Sequence, residues 1–471
     1  MDNTEMKNSL NFFIEHYFQE IAEISSAEVI KVADSKQIKK IKDIDIPKQG
    51  RKIQEVMEEM MNDIYNYRAQ LNHPRYLGFI PGPASLNSWI GEVMTSAYNL
   101  HAGSWMSSSA ASYIEKVLIE WLSIKVGYEV KTAAGLFVSG GSMANLTALV
   151  AARDKKLSFE TIHLGTAYVS EQTHSSIKKA LKIAGISPDH MRRIGVDSKF
   201  RMNIEELEKA INDDVSEGLK PFVIIASAGT TNTGSIDPME EIHDLCSKYG
   251  MWMHVDGAFG ASILLTENYK HLLNGIKAAD SMSWDAHKWL FQTYGCGIVL
   301  VKDKRNLTRS YHTNPEYLRD LEINDDEINY WDIGMELTRP ARGLKLWFTI
   351  QTIGTEVISK RIEFGIHLAE YTKELLLGLK NWEIISEPQL AIINFRYAPR
   401  WISQKEVDDL NKDISQLAIQ DNYTGVFTTV LNDQVVLRIC SINPATTEDD
   451  IEKTIKKLDN FAQQLLSDNV N

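Results

Sequence analysis

Ser281-Met-Ser-Trp-Asp-Ala-His-Lys-Trp289 is the stretch on which the reading of this 471-residue chain turns. It opens with strand character over residues 280–283 and closes with a histidine directly followed by Lys288. Most lysines are solvated surface cations. A lysine that ends a strand can instead aim its amine into a crevice and condense with an aldehyde. Its company favours the second reading. Upstream lie Met251-Trp-Met-His-Val-Asp256, a strand-like run ending in an acid, and Ser139-Gly-Gly-Ser142, a glycine turn.

Working outward, apolar runs at 135–139, 168–170, 222–226, 252–255, 280–283 and 298–301 alternate with helix-length segments. That alternation predicts an α/β fold with a large, mostly parallel sheet. Gly295-Cys-Gly297 stands where the last of these strands can reverse direction. Residues 8–24 and 53–70 have apolar positions at helical spacing and too few strands to be a domain alone. After Trp347 come a long helical stretch to about residue 379, a strand at 390–397 and a helix at 405–420. A hairpin is predicted around Asn432-Asp433, and a last helix begins near Thr446-Thr447. The organisation expected is an N-terminal helical segment over 1–75, a large α/β domain over 76–350 and a small α+β domain over 351–471. Residues 311–339 lack a periodic apolar pattern, and structureless segments of that length are usually functional or disordered.

Composition excludes several classes. With 44% apolar and 24% charged residues the chain reads as globular. A net charge of −13 argues against nucleic acid or an anionic membrane as partner. No apolar run reaches membrane-spanning length, and the first twenty residues do not read as a signal peptide, so the expected location is the cytoplasm. Cys246, Cys296 and Cys440 are far apart and form no CxxC, so no disulfide or metal site is expected. No Gly-x-Ser-x-Gly elbow supports a serine hydrolase.

The chemistry sits at strand ends. Gly141 and Ser142 open a helix, where bare backbone and free N–H groups suit a phosphate dianion; the bland alternative is a tight strand–helix turn. Asp256 ends its strand and can face a pyridine nitrogen, or simply cap a helix. His174, in Gln172-Thr-His174-Ser-Ser176, can stack on a ring with Ala258 opposite, or be structural. Thr230 ends another strand, where ordinary turn chemistry is the alternative. Amine, acid and phosphate cradle together are what pyridoxal phosphate needs.

These runs, with His73-Pro-Arg-Tyr-Leu-Gly-Phe-Ile-Pro81, Asp285-Ala-His-Lys-Trp289, Gly343-Leu-Lys-Leu-Trp347 and Leu437-Arg438, resemble the group II pyridoxal-phosphate-dependent amino acid decarboxylases of fold type I. The likeness is greatest to bacterial tryptophan and aromatic L-amino acid decarboxylases, through Ser283-Trp-Asp-Ala-His-Lys-Trp-Leu-Phe-Gln-Thr-Tyr-Gly-Cys296 and Trp331-Asp-Ile-Gly-Met-Glu-Leu-Thr-Arg-Pro-Ala-Arg-Gly343. The resemblance implies a homodimer with the site at its interface and a swapped N-terminal segment. It implies Lys288 as the Schiff-base lysine, Asp256 at the ring nitrogen and His174 on the ring face. Gly141, Ser142 and Asn145 would lie at the phosphate end, with Thr230 and His287 nearby. Counted back from Leu344, Tyr330 takes the place of a mobile-loop tyrosine that returns a proton to the α-carbon; plant relatives with phenylalanine there form aldehydes.

The implied reaction is α-decarboxylation of Trp, Phe, Tyr or hydroxylated analogues to the arylalkylamine and CO2. Phe79, Pro81, His101 and Ser107 fall where relatives line the substrate pocket, and Trp331 and Leu337 would cover it. Ser104-Trp-Met-Ser-Ser-Ser-Ala-Ala-Ser112 departs from tryptophan-specific relatives, which predicts breadth across aromatic substrates. The alternatives are a decarboxylase of a non-aromatic amino acid, an aldehyde-forming variant, or a protein that binds the cofactor without turnover.

Overall fold

The computed structural model of the chain describes residues 3–313 and 327–468. Its main sheet has seven strands: β1 (Ala134–Val138), β2 (Gly165–Ser170), β3 (Met191–Ile194), β4 (Lys220–Ser227), β5 (Trp252–Asp256), β6 (Ser281–Asp285) and β7 (Gly297–Val301). They lie in the order β1-β7-β6-β5-β4-β2-β3, and β7 is antiparallel to both its neighbours while the other pairs are parallel. Gly295, at φ +79°, turns the chain back as expected. The fold is α/β, with this sheet covered on both faces. Along β4, Ile224 and Ala226 join one buried cluster while Val223 and Ile225 join the other, which is why the strand reads as a continuous apolar run. β3 was not expected. Its Met-Arg-Arg-Ile is short and charged, as an edge strand with one neighbour tolerates.

A second, antiparallel sheet has the order β10-β11-β9-β8, with β8 (Trp382–Gln389), β9 (Ile392–Tyr397), β10 (Phe427–Leu431) and β11 (Gln434–Cys440). The strand expected over 390–397 is therefore cut at its start, because Leu390 adopts φ +54° and links two strands. Asn432 and Asp433 both have positive φ, the conformation a two-residue hairpin turn demands. The last helix, Glu448–Asp468, is capped reciprocally: Asp450 N–H donates to Thr447 Oγ1 and Thr447 N–H donates to Asp450 Oδ2. The helix Leu344–Leu377 runs through residue 350, where a domain boundary was expected, and leaves helical geometry only at Gly354.

At the N-terminus, Asn3–Glu23 is helical and Ile53–Glu59 continues as π-helix over Met60–Tyr65. Leu10 and Phe18 remain exposed on the first helix, while Tyr17 packs its ring 4.9 Å from Trp89. Among the described residues no helix is long and apolar enough to cross a membrane.

One buried ion pair ties the region around the site together. Arg339 donates to both carboxylate oxygens of Glu115, at 2.9 and 2.7 Å, and to the carbonyls of Ala102 and Phe137. Its guanidinium lies 4.8 Å from the centre of the Tyr330 ring.

Candidate active site

Strand register assembles the site. Ser227, Asp256 and Ser283 are aligned partners at the carboxyl ends of β4, β5 and β6. Asp285 pairs with Gly297, which also pairs with Val138, the last residue of β1. Four strand ends and two connecting loops thus open on one cavity of about 410 Å³. Ligand crevices in open α/β sheets lie at such carboxyl ends.

The cavity gathers every residue expected to hold a cofactor. Gly141 and Ser142 line it at the start of the helix Gly141–Lys156, where Gly140 O already accepts from Met143 and Ala144. The first amides of a helix have no intrahelical acceptor, so this wall offers donors to an anion. Asp256, Ala258, His174, Thr230, His287 and Lys288 line the same space.

Asn145 lines it too, but not at the glycine turn. It lies four residues into the helix, where its Nδ2 donates to Asp256 Oδ2 at 3.0 Å and to Ser176 Oγ at 3.1 Å. It therefore backs the carboxylate rather than the phosphate end. The Thr230 hydroxyl is taken up by Thr233 and Ser235, at 2.8 and 2.9 Å, so turn chemistry occupies it.

The substrate-side residues are not brought to this cavity within one chain. The Phe79 ring lies tilted against Phe427, their centres 4.9 Å apart, and Pro81, two residues on, is buried. His101 sits 6.3 Å from Trp331, with the Leu337 backbone close by at Gly103. Ser107 closes the N-terminus of its helix on Ser104. Tyr330 is 1% exposed, packed in the core under Arg339, with its hydroxyl 3.5 Å from Ser112 O. It does not line the cavity. Of the 311–339 segment, residues 314–326 lie outside the described residues.

A family model described as "Pyridoxal-dependent decarboxylase conserved domain" matches residues 35–398. The chain belongs to this family. It is 37% identical over 422 residues to an aromatic-L-amino-acid decarboxylase of Bacillus atrophaeus, covering 89% of this chain and 88% of the relative. A phenylacetaldehyde synthase of Petunia hybrida is 30% identical over 89% of this chain and 87% of its own. The fold matches that of an Oryza sativa TDC solved with PLP and tryptamine, at TM-score 0.93, 24% identity and 99% of both chains.

The cofactor of this family of decarboxylases is pyridoxal phosphate, and the cavity suits it. Its volume falls within the range for small-ligand sites. His287 Nδ1 is buried with no partner among the described residues, a donor or acceptor left for a ligand. The glycine wall must stay bare: a Cβ at Gly141 would come within 2.8 Å of Asp285 Oδ2, and one at Gly297 within 2.4 Å of Gly140 Cα.

Several residues here escaped the sequence reading. Asp285 is 3.2 Å from Lys288 Nζ with its side chain 3% exposed, a counter-ion three residues before the lysine. Ser283 donates to Asp256 Oδ1 at 3.1 Å, and Ala258 N–H donates to the same oxygen. His254 stands behind the cavity wall, wholly buried in β5. The run of residues around Lys288 contained Asp285 in plain view; for His254, inside an apolar strand, the sequence held no signal.

Burial lowers the imidazole of His174, and Lys288 adds to that against the pull of Asp256. Burial also brings His254 and His73 down to about 4. Each is neutral when folded but takes a proton near 6.5 when unfolded, so their contribution is complete above 6.5 and fades as pH falls towards 4. Asp237, raised by burial to about 6, acts oppositely over its narrower window, so the two histidines prevail. The expected result is a melting temperature that falls steadily between pH 6.5 and 4 and a shallower fall in His73→Gln. A flat profile in the parent chain contradicts it.

Proposed function

We propose that this chain removes the α-carboxylate of aromatic L-amino acids as CO2 and releases the arylalkylamine. The observation that carries the reading is that the Lys288 amine and the Asp256 carboxylate open on one cavity. The substrate class is supported by the 37% identical aromatic-L-amino-acid decarboxylase.

Bound there, pyridoxal phosphate supplies a protonated ring that accepts the electron pair freed at the α-carbon. Lys288 would hold the cofactor through its amine. Asp256, held by Ser283, Asn145 and the Ala258 amide, would keep the ring nitrogen protonated. Gly141 and Ser142 would receive the phosphate at a helix N-terminus, with His287 as a further partner. His174 and Ala258 would hold the ring. His174, or a water it holds, returns the proton to the α-carbon.

The chain acts as a homodimer in the cytoplasm. Phe79, His101, Ser107, Trp331 and Leu337 do not line their own cavity, and Phe79 and Leu337 are 61% and 50% exposed. A second copy at the cavity mouth supplies the apolar wall that an indole or phenyl ring needs and excludes water from the reacting carbon. Sedimentation at working concentration checks the dimer.

Tyr330→Phe is expected to keep amine as the product, with kcat within about threefold, because among the described residues its hydroxyl holds one long hydrogen bond, in a packed core. Aldehyde and peroxide from this variant would restore Tyr330 as the proton donor.

The loaded protein is to be incubated with Phe, Tyr, Trp, DOPA, 5-hydroxytryptophan and Glu, and amine, aldehyde and peroxide measured. Amine from the aromatic substrates is expected. Amine from Glu alone overturns the aromatic reading, aldehyde with peroxide overturns simple decarboxylation, and bound cofactor without product overturns catalysis.

A further inference from the structure

The amide of Asn145, 1% exposed, touches three groups. Its Nδ2 faces Asp256 Oδ2 and Ser176 Oγ, while Oδ1 lies 3.0 Å from Nε2 of His254. A carboxylate only accepts, so the nitrogen must face Asp256 and the carbonyl is left to His254. That carbonyl also only accepts, so His254 carries its proton on Nε2.

With burial keeping this imidazole neutral, its Nδ1 is bare and takes the Ser281 hydroxyl at 2.8 Å. The Ser281 oxygen in turn accepts from the Trp252 indole N–H at 2.8 Å, a group that can only donate. At the other end, Ser176 Oγ accepts from Asn145 and is free to donate to His174 Nδ1, 2.9 Å away. The Ser176 backbone N–H donates to that same nitrogen at 3.2 Å. Asp256 at one end and the Trp252 indole at the other thus fix the roles of Asn145, His254 and Ser281, while the Ser176 N–H makes His174 Nδ1 an acceptor.

We propose that His254 is a positioning residue: by holding the Asn145 carbonyl it keeps the Asn145 amide turned on the Asp256 carboxylate. This rests on reading the cavity as the decarboxylase site. His254 does not line the cavity and acts only through Asn145. Its place inside a buried strand would by itself imply packing alone; the continuous donor order to Asp256 is what packing does not require.

His254→Phe removes the Nε2 donor and leaves the Asn145 carbonyl buried without that partner, so the amide loosens from Asp256. In the cofactor-free protein, nitrogen-15 NMR is expected to show His254 as the Nε2–H tautomer. The dissociation constant for pyridoxal phosphate is expected to rise about tenfold in His254→Phe, the scale of one hydrogen bond to a charged group. His254→Gln, which returns an N–H near the same place, restores it to within about threefold of the parent. Should the phenylalanine variant not fold, Ser281→Ala carries the test: it removes the donor to Nδ1 and is expected to weaken cofactor binding by about threefold.

An Nδ1–H tautomer of His254 in the parent chain overturns the proposal. So does a His254→Phe or Ser281→Ala protein that binds the cofactor within twofold of the parent. None of these readouts needs an amino acid, so a chain that passes them and makes no amine fails the substrate reading alone.

Discussion

Lys288→Ala loses amine formation by a factor on the order of 10⁵ or more, the scale of deleting a covalent nucleophile. It also loosens the cofactor-free fold. Asp285 Oδ2 lies 3.2 Å from Lys288 Nζ, and the aspartate side chain is 3% exposed. Its other oxygen is buried with no hydrogen-bond partner among the described residues. Removing the amine leaves a buried carboxylate with no cation in contact. Breaking a fully buried pair costs about 3–5 kcal/mol. The lysine side chain is 24% exposed, so solvent screening brings this loss below that range.

Two further variants separate the chemistry from the ion pair. Lys288→Arg keeps a cation beside Asp285 but cannot condense with an aldehyde at neutral pH, so it should be inactive with a near-parental melting temperature. Lys288→Ala with Asp285→Asn should stay inactive and regain much of the lost stability. Amine is measured by chromatography and melting by circular dichroism. A Lys288→Ala protein with parental turnover would remove the basis of the site.

Lys288 and Asp256 were legible because Asp256 ends β5 and Lys288 follows β6 by three residues, and strand ends in such a sheet converge whatever the details of packing. The reversal of β7 was legible from Gly295 for a similar local reason. What stayed hidden depended on neighbours distant in sequence. β3 carries Arg192 and Arg193, and Arg192 makes sense only against Asp214, which it meets at 2.5 Å. β8 contains Glu383, Ser386 and Pro388, so its alternation is blurred. Asn145 was tied to the nearest glycine turn, although helical geometry carries its side chain a full turn deeper, to Asp256. Tyr330 was placed by counting back from Leu344, and counting says nothing of whether a phenol swings or is packed. Here Arg339 covers it. The substrate wall was the least legible part, because its residues do not meet Lys288 within one chain.

Arg339 is itself the subject of the second large effect. Arg339→Met and Glu115→Gln are each expected to cost about 3–5 kcal/mol, the price of leaving one member of a buried ion pair uncompensated. Both side chains are almost wholly inaccessible, at 1% and 2%. The guanidinium also satisfies the carbonyls of Ala102 and Phe137, while Glu115 accepts from the Phe137 N–H at 2.8 Å. The pair thus joins the loop after residue 101, the end of β1 and the segment carrying Trp331. Phe137 stands two residues before Ser139, so slack here reaches the glycine wall and should weaken cofactor binding in both variants. The double variant Glu115→Gln with Arg339→Met should cost less than the sum of the two, because no charge is left buried alone. Urea denaturation of the four proteins measures the coupling, and titration with pyridoxal phosphate measures the site. Single variants within about 0.5 kcal/mol of the parent, the range of ordinary surface substitutions, would show that the pair holds nothing together.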